Sequence, residues 1–150
     1  MVLPLLTRID HVGIACRDLS RTIGMYRDTF GLEVVSLEVN EEQGVREAML
    51  AVGGAAVGLA GGRPGYVQLL EPLGPDTPVG KFLARRGEGI HHVGYGVSDI
   101  GQALATIAGT GIRLVDERPR HGSMGASIAF LHPADLGGVL TELVQSRTAG

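Results

Sequence analysis

Two histidines, His11 and His92, stand 81 residues apart in near-identical strings, Ile9-Asp10-His11-Val12-Gly13 and Ile90-His91-His92-Val93-Gly94. Neutral imidazole is a ligand for borderline divalent ions. In an extended strand alternate side chains share a face, which places His11 with Ile9, Gly13 and Ala15, and His92 with Ile90, Gly94 and Gly96. Both rings then look onto space lined largely by small residues, where a further group has room. A single histidine in such a place reads as a hydrogen-bonded core residue, whereas two in matching strings read as ligands. His91 falls on the face opposite His92 and reads as structural.

A second matched pair closes each repeat. Tyr66-Val67-Gln68-Leu69-Leu70 aligns with Leu140-Thr141-Glu142-Leu143-Val144, so that Gln68 and Glu142 correspond. Taken singly, each also reads as a solvent-facing residue of an edge strand. Glu142, however, sits in an apolar run, and a buried carboxylate without compensation is costly. A cation removes that cost. Two His, one Gln and one Glu form a nitrogen and oxygen donor set suited to zinc, cobalt, manganese, nickel or ferrous iron, with positions left open for substrate. Glu47, in Val45-Arg46-Glu47-Ala48-Met49-Leu50, is a third unusual acid. It reads equally as a surface partner of Arg46 or of a neighbouring strand, or as a partly desolvated carboxylate. Beside a metal-bound carbonyl, such a group has a raised pKa and can take a proton from carbon.

The elements that must hold these residues repeat with them. In each half an alternating apolar strand (9–16; 90–97) leads to Asp18 or Asp99 as helix N-cap. A helix with apolar residues at helical spacing follows (Leu19, Ile23, Tyr26, Phe30; Ile100, Leu104, Ile107), stopped by Gly31 or Gly111. Three short strands come next, at 33–39, 45–52 and 65–70 in the first half and at 113–117, 127–132 and 139–145 in the second. The chain therefore reads as an internal duplication of the α+β class. Two tandem βαβββ modules, about 7–71 and about 88–146, are joined by a turn-rich linker at 72–87 with a short helix over 79–86. The expected architecture is one domain over 1–150, with both modules in one curled mixed sheet around the metal site. Residues 53–65 hold six glycines and read as a flexible loop.

Composition excludes several functions. With 150 residues the length suits one domain. The 13 Lys and Arg against 16 Asp and Glu give a net charge of −3 and form no basic stripe, so no nucleic acid partner is expected. The apolar start, Met1 to Leu6, is far too short to span a membrane and lacks a signal peptide's basic start, so the protein is expected to be cytoplasmic and to have no membrane partner. A single cysteine, Cys16, permits neither an intrachain disulfide nor a cysteine zinc cage. Gly74 to Lys81 has the wrong spacing for a phosphate-binding loop. Cys16, Ser123 and Ser127 lack the surroundings of a catalytic nucleophile, and His121 and His132 read as loop residues.

The duplicated pattern, with His on the first strand of each half and Gln or Glu on the last, resembles the vicinal oxygen chelate superfamily. Within it the chain is similar to the methylmalonyl-CoA epimerases, through IDHVGIACRDL, NEEQGVREAML, QLLEPLGPDTPVGKFLARRGEGIHHVGYGVSDI, IAFLHP and GGVLTELV. The resemblance implies a divalent metal (cobalt, zinc, manganese or nickel) held by His11, Gln68, His92 and Glu142. It implies Glu47 and Glu142 as an acid/base pair that interconverts the (2R) and (2S) epimers of methylmalonyl-CoA, with the metal as Lewis acid stabilising the enolate. An acyl-CoA substrate and a homodimer are implied as well. The same superfamily offers two alternatives, a glyoxalase-type lyase or isomerase and a non-catalytic small-molecule binder.

Overall fold

A computed structural model describes residues 4–53 and 63–147. The glycine-rich stretch read as a flexible loop lies for the most part outside the described residues. By internal contacts the chain divides into two units, one running His11–His91 and the other combining the residues up to Asp10 with those from His92 onward. Strands β1 (Arg8–Ala15) and β5 (Gly89–Gly96) each contribute to both. Among the described residues no helix is long and apolar enough to cross a membrane.

In the His11–His91 unit, β1 leads into helix α1 (Leu19–Phe30). Asp18 accepts a hydrogen bond from the Arg21 amide, and Gly31 ends the helix in the left-handed conformation, φ 72°, that a residue with a Cβ resists. Strands β2 (Val34–Asn40), β3 (Val45–Val52) and β4 (Gly65–Pro72) follow. β2 and β4 flank β3 antiparallel, and β4 pairs in parallel with β1, matching Gly13 with Gln68. Alternation sends Ala48, Leu50 and Leu69 to the face packed under α1 with Cys16 and Leu19. Helix α2 (Pro78–Arg86), capped by Thr77, packs Val79 and Leu83 against Ala15, Val45 and Leu70.

Two expectations follow from this packing. Burial pushes the Cys16 thiol up to about 11, and its residue is 1% exposed. Since the thiolate is the nucleophile, iodoacetamide at pH 8 is expected to leave Cys16 unmodified until denaturant unfolds the chain, as read by intact mass. At Gly80, an added Cβ would collide with the Gly74 carbonyl oxygen and lie 2.9 Å from that of Pro75. Backbone cannot give way as a flexible side chain can, so Gly80→Ala is expected to cost about 1–3 kcal/mol, measured by urea unfolding.

The other unit repeats the plan. β5 leads through Asp99, which accepts from the Gln102 amide, into α3 (Ile100–Ala108). The helix ends at Gly109, so Gly111, φ 89°, lies beyond the cap and not at it. β6 (Arg120–His121), β7 (Ser127–Leu131) and β8 (Thr141–Gln145) complete it, with β8 parallel to β5 and antiparallel to β7. Ile100, Leu104, Ala129, Leu131 and Leu143 form its core. The strand expected at 113–117 is instead an isolated bridge from Leu114 to Leu131. The cause is local. The amides of Val115 and Asp116 both donate to the Phe130 carbonyl, while the Asp116 carboxylate accepts from the Phe130 amide, replacing the regular ladder with a side-chain bond.

Each last strand also closes onto its own helix. Glu71 Oε2 accepts from the Leu19 amide, and Gln145 Oε1 accepts from the Ile100 amide at 2.9 Å. Both satisfy a first-turn amide that the helix itself leaves without a partner.

Candidate active site

Strand register sets the positions of the chemical side chains. In the His11–His91 unit, Glu47 pairs across to Leu70 and Met49 to Gln68, so Glu47, Met49, Gln68 and Leu70 share one face. His11, paired with Tyr66, lies on the corresponding face of β1. Glu47 is 2% exposed, and its Oε2 accepts a hydrogen bond of 3.1 Å from Gln68 Nε2. Arg46, pointing the other way, reaches Glu71 Oε1 at 3.1 Å, so the alternative of a surface Arg46–Glu47 pair does not hold. Commitment of the Gln68 amide nitrogen to Glu47 orients its carbonyl oxygen, and that buried Oε1 accepts no hydrogen bond among the described residues.

In the second unit, Glu142 pairs with Gly94 on one side and Phe130 on the other. Phe130 stands edge-on to the His92 ring with centroids 5.3 Å apart, which fixes the imidazole plane. His92 Nε2 lies 3.7 Å from Glu142 Oε1. That is beyond ordinary hydrogen-bond length and within the span open to two ligands that share one ion at bonds of ~2.0–2.2 Å. His11, His92 and Glu142 are all buried and are a possible metal-binding cluster. Two imidazoles and a carboxylate, with an amide oxygen on Gln68, have the chemistry to hold a borderline divalent cation.

His91 turns away from this group. It stands edge-on to Phe82 of α2 at 5.1 Å, and burial lowers its pKa to about 4. His132 Nδ1 accepts from the Ala134 amide, and His121 is exposed in β6; neither joins the cluster.

Comparing the two registers isolates Glu47. Gln68 and Glu142 are equivalent, as are their neighbours Met49 and Phe130; one step along, Glu47 paired with Leu70 corresponds to Ile128 paired with Val144. The second module fills this buried position with an aliphatic side chain, so the fold does not need a carboxylate there. Strand patterning singled out neither Met49 nor Phe130. Only cross-strand register brings them beside Gln68 and Glu142.

A family model described as Glyoxalase/Bleomycin resistance protein/Dioxygenase superfamily matches residues 10–130. A solved methylmalonyl-CoA epimerase in complex with methylmalonyl-CoA and NH4+ is 53% identical, with 96% of this chain and 97% of that one covered and a TM-score of 0.90. A variant of the Streptomyces coelicolor methylmalonyl-CoA epimerase in complex with 2-nitronate-propionyl-CoA is 52% identical, with 95% and 99% covered and a TM-score of 0.89. The ethylmalonyl-CoA/methylmalonyl-CoA epimerase of Cereibacter sphaeroides is 34% identical, with 92% of this chain and 97% of that protein covered. The chain belongs to the glyoxalase/bleomycin resistance protein/dioxygenase superfamily and, within it, to the methylmalonyl-CoA epimerase family. Its α+β repeat is that of the vicinal oxygen chelate fold.

Proposed function

We propose that this protein interconverts the two epimers of methylmalonyl-CoA, with His11, Gln68, His92 and Glu142 holding a divalent metal and with Glu47 and Glu142 moving the proton. The observation that carries this reading is the burial of Glu47 at a position where the second module has Ile128, hydrogen-bonded to Gln68. The similarity to epimerases solved with methylmalonyl-CoA and with an analogue supports the substrate.

When bound, a divalent ion supplies Lewis acidity toward the thioester oxygen. The residues of the chain do the rest. Glu47 takes the α hydrogen as a proton from one side of the carbon, and the electron pair of the broken C–H bond passes into the thioester carbonyl. Glu142 delivers a proton to the other side, the electron pair returns to carbon and the configuration is inverted. Burial keeps bulk water away from both carboxylates. Gln68 holds Glu47 in place through its amide. An acyl-CoA substrate and a homodimer, carried over from the family resemblance, and a cytoplasmic location, read from the amino-acid sequence, complete the reading; cobalt, zinc, manganese and nickel all suit the donor set.

The deciding experiment incubates one epimer of methylmalonyl-CoA with the protein in heavy water, with and without chelator, and follows mass and chirality. Deuterium incorporation with inversion, lost on chelation and restored by one of these ions, is the expected result. Absence of exchange with every ion tested overturns it, and turnover of methylglyoxal with a thiol would then assign a glyoxalase-type reaction.

A further inference from the structure

Met49 is 3% exposed, yet it is a member of none of the apolar core clusters formed by the described residues. Its strand neighbours Ala48 and Leu50 both belong to the core beneath α1. Met49 points to the other face, where its register partners are Gln68 on β4 and Ser36 on β2 and where Glu47 lies two residues away. Met49 is thus a buried thioether that lies outside the four apolar clusters and whose register partners are an amide and a hydroxyl-bearing residue. It provides an apolar surface beside the proposed base.

From this placement, and resting on the epimerase reading above, we propose that Met49 is the specificity-determining residue for the alkyl group on the substrate's α carbon. A carbon whose hydrogen reaches Glu47 carries its alkyl group about one bond length away. Met49 stands two residues along the same strand face, a rise of about 6.6–6.8 Å, and its unbranched side chain spans part of that interval. The equivalent position in the second module holds Phe130, a flat ring fixed against His92. Met49 differs in kind: an unbranched thioether with three rotatable bonds adapts its shape to what it touches. An adaptable wall of this type admits methyl and also the longer ethyl group, so the substrate class is α-alkylmalonyl thioesters.

The test measures kcat/KM for methylmalonyl-CoA and ethylmalonyl-CoA with wild type, Met49→Ala and Met49→Phe. One methylene in an apolar pocket changes discrimination by about 10-fold or more. Met49→Ala is therefore expected to raise the ethyl-to-methyl ratio by about 10-fold, and Met49→Phe to lower it below wild type. Should the alanine variant not fold, Met49→Val, β-branched and suited to a strand, is expected to shift the ratio in the same direction. Wild-type activity with a ratio unchanged within twofold in the folded variants overturns the assignment of Met49 and leaves the epimerase reading standing. Wild-type protein that exchanges the α hydrogen of neither thioester overturns both.

Discussion

Glu47→Gln is expected to lower kcat for epimerisation by about 10³-fold, within the 10²–10⁴ that a positioned general base contributes, while KM for methylmalonyl-CoA changes only a few-fold. The substitution keeps the shape of the side chain and removes its basicity, so the loss falls on the proton-transfer step and not on binding. Isotope exchange sharpens the result. With two bases on opposite sides of the carbon, loss of one leaves the other able to exchange the α hydrogen of a single epimer. Glu47→Gln in heavy water is therefore expected to incorporate deuterium into one epimer with retained configuration and to produce almost none of the other. Inversion at a near wild-type rate would remove Glu47 from the reaction. The second module already holds an aliphatic residue, Ile128, at the equivalent buried site, so the fold tolerates loss of the charge and the kinetic effect is separable from misfolding.

The second large effect is on metal content. His11→Ala is expected to reduce bound divalent ion at least tenfold after dialysis, measured by elemental analysis, with far-UV circular dichroism unchanged. His92→Ala is expected to do the same. With His11, Gln68, His92 and Glu142 as the proposed ligands, removing either histidine leaves a site of too few donors. His121→Ala and His132→Ala serve as controls with full metal content, since neither belongs to the cluster. Because an ion that binds only the folded chain stabilises it by mass action, wild type is also expected to unfold at a lower temperature with chelator. The same chelator should leave His11→Ala almost unshifted. A full metal complement in His11→Ala would take that histidine out of the ligand set. Glu142→Gln is less informative, because one substitution removes both a ligand and a base.

Much of this architecture is legible before any coordinates. Asp18 and Asp99 announce the two helices, and each caps as its residue type requires. Period-two alternation groups His11 with Gly13 and Ala15 on β1, and Glu47 with Val45 and Met49 on β3, because successive side chains of a strand point to opposite faces. Local pattern fails where a side chain takes over from the backbone, as when Asp116 answers the Phe130 amide and turns an expected strand into a single bridge. It fails also where meaning depends on a partner strand. Alternation within Val45 to Val52 puts Met49 on the face of Glu47 and Leu50 on the other, but only the register shows that the first of these faces carries Gln68 and the second packs under α1. The contrast between Glu47 and Ile128 likewise emerges only when two ladders are laid side by side, since the intervening loops differ in length.

The paired latches from Glu71 to Leu19 and from Gln145 to Ile100 bear on how such a protein can change over time. Each ties the end of a module's last strand to the start of its first helix, using residues that take no part in the chemistry. Two copies held shut in this way do not depend on their reactive faces for their shape. The two modules keep the same latch while their reactive faces have diverged, with Glu47 at the position that Ile128 occupies in the other, so scaffold and chemistry are separable along the chain's history.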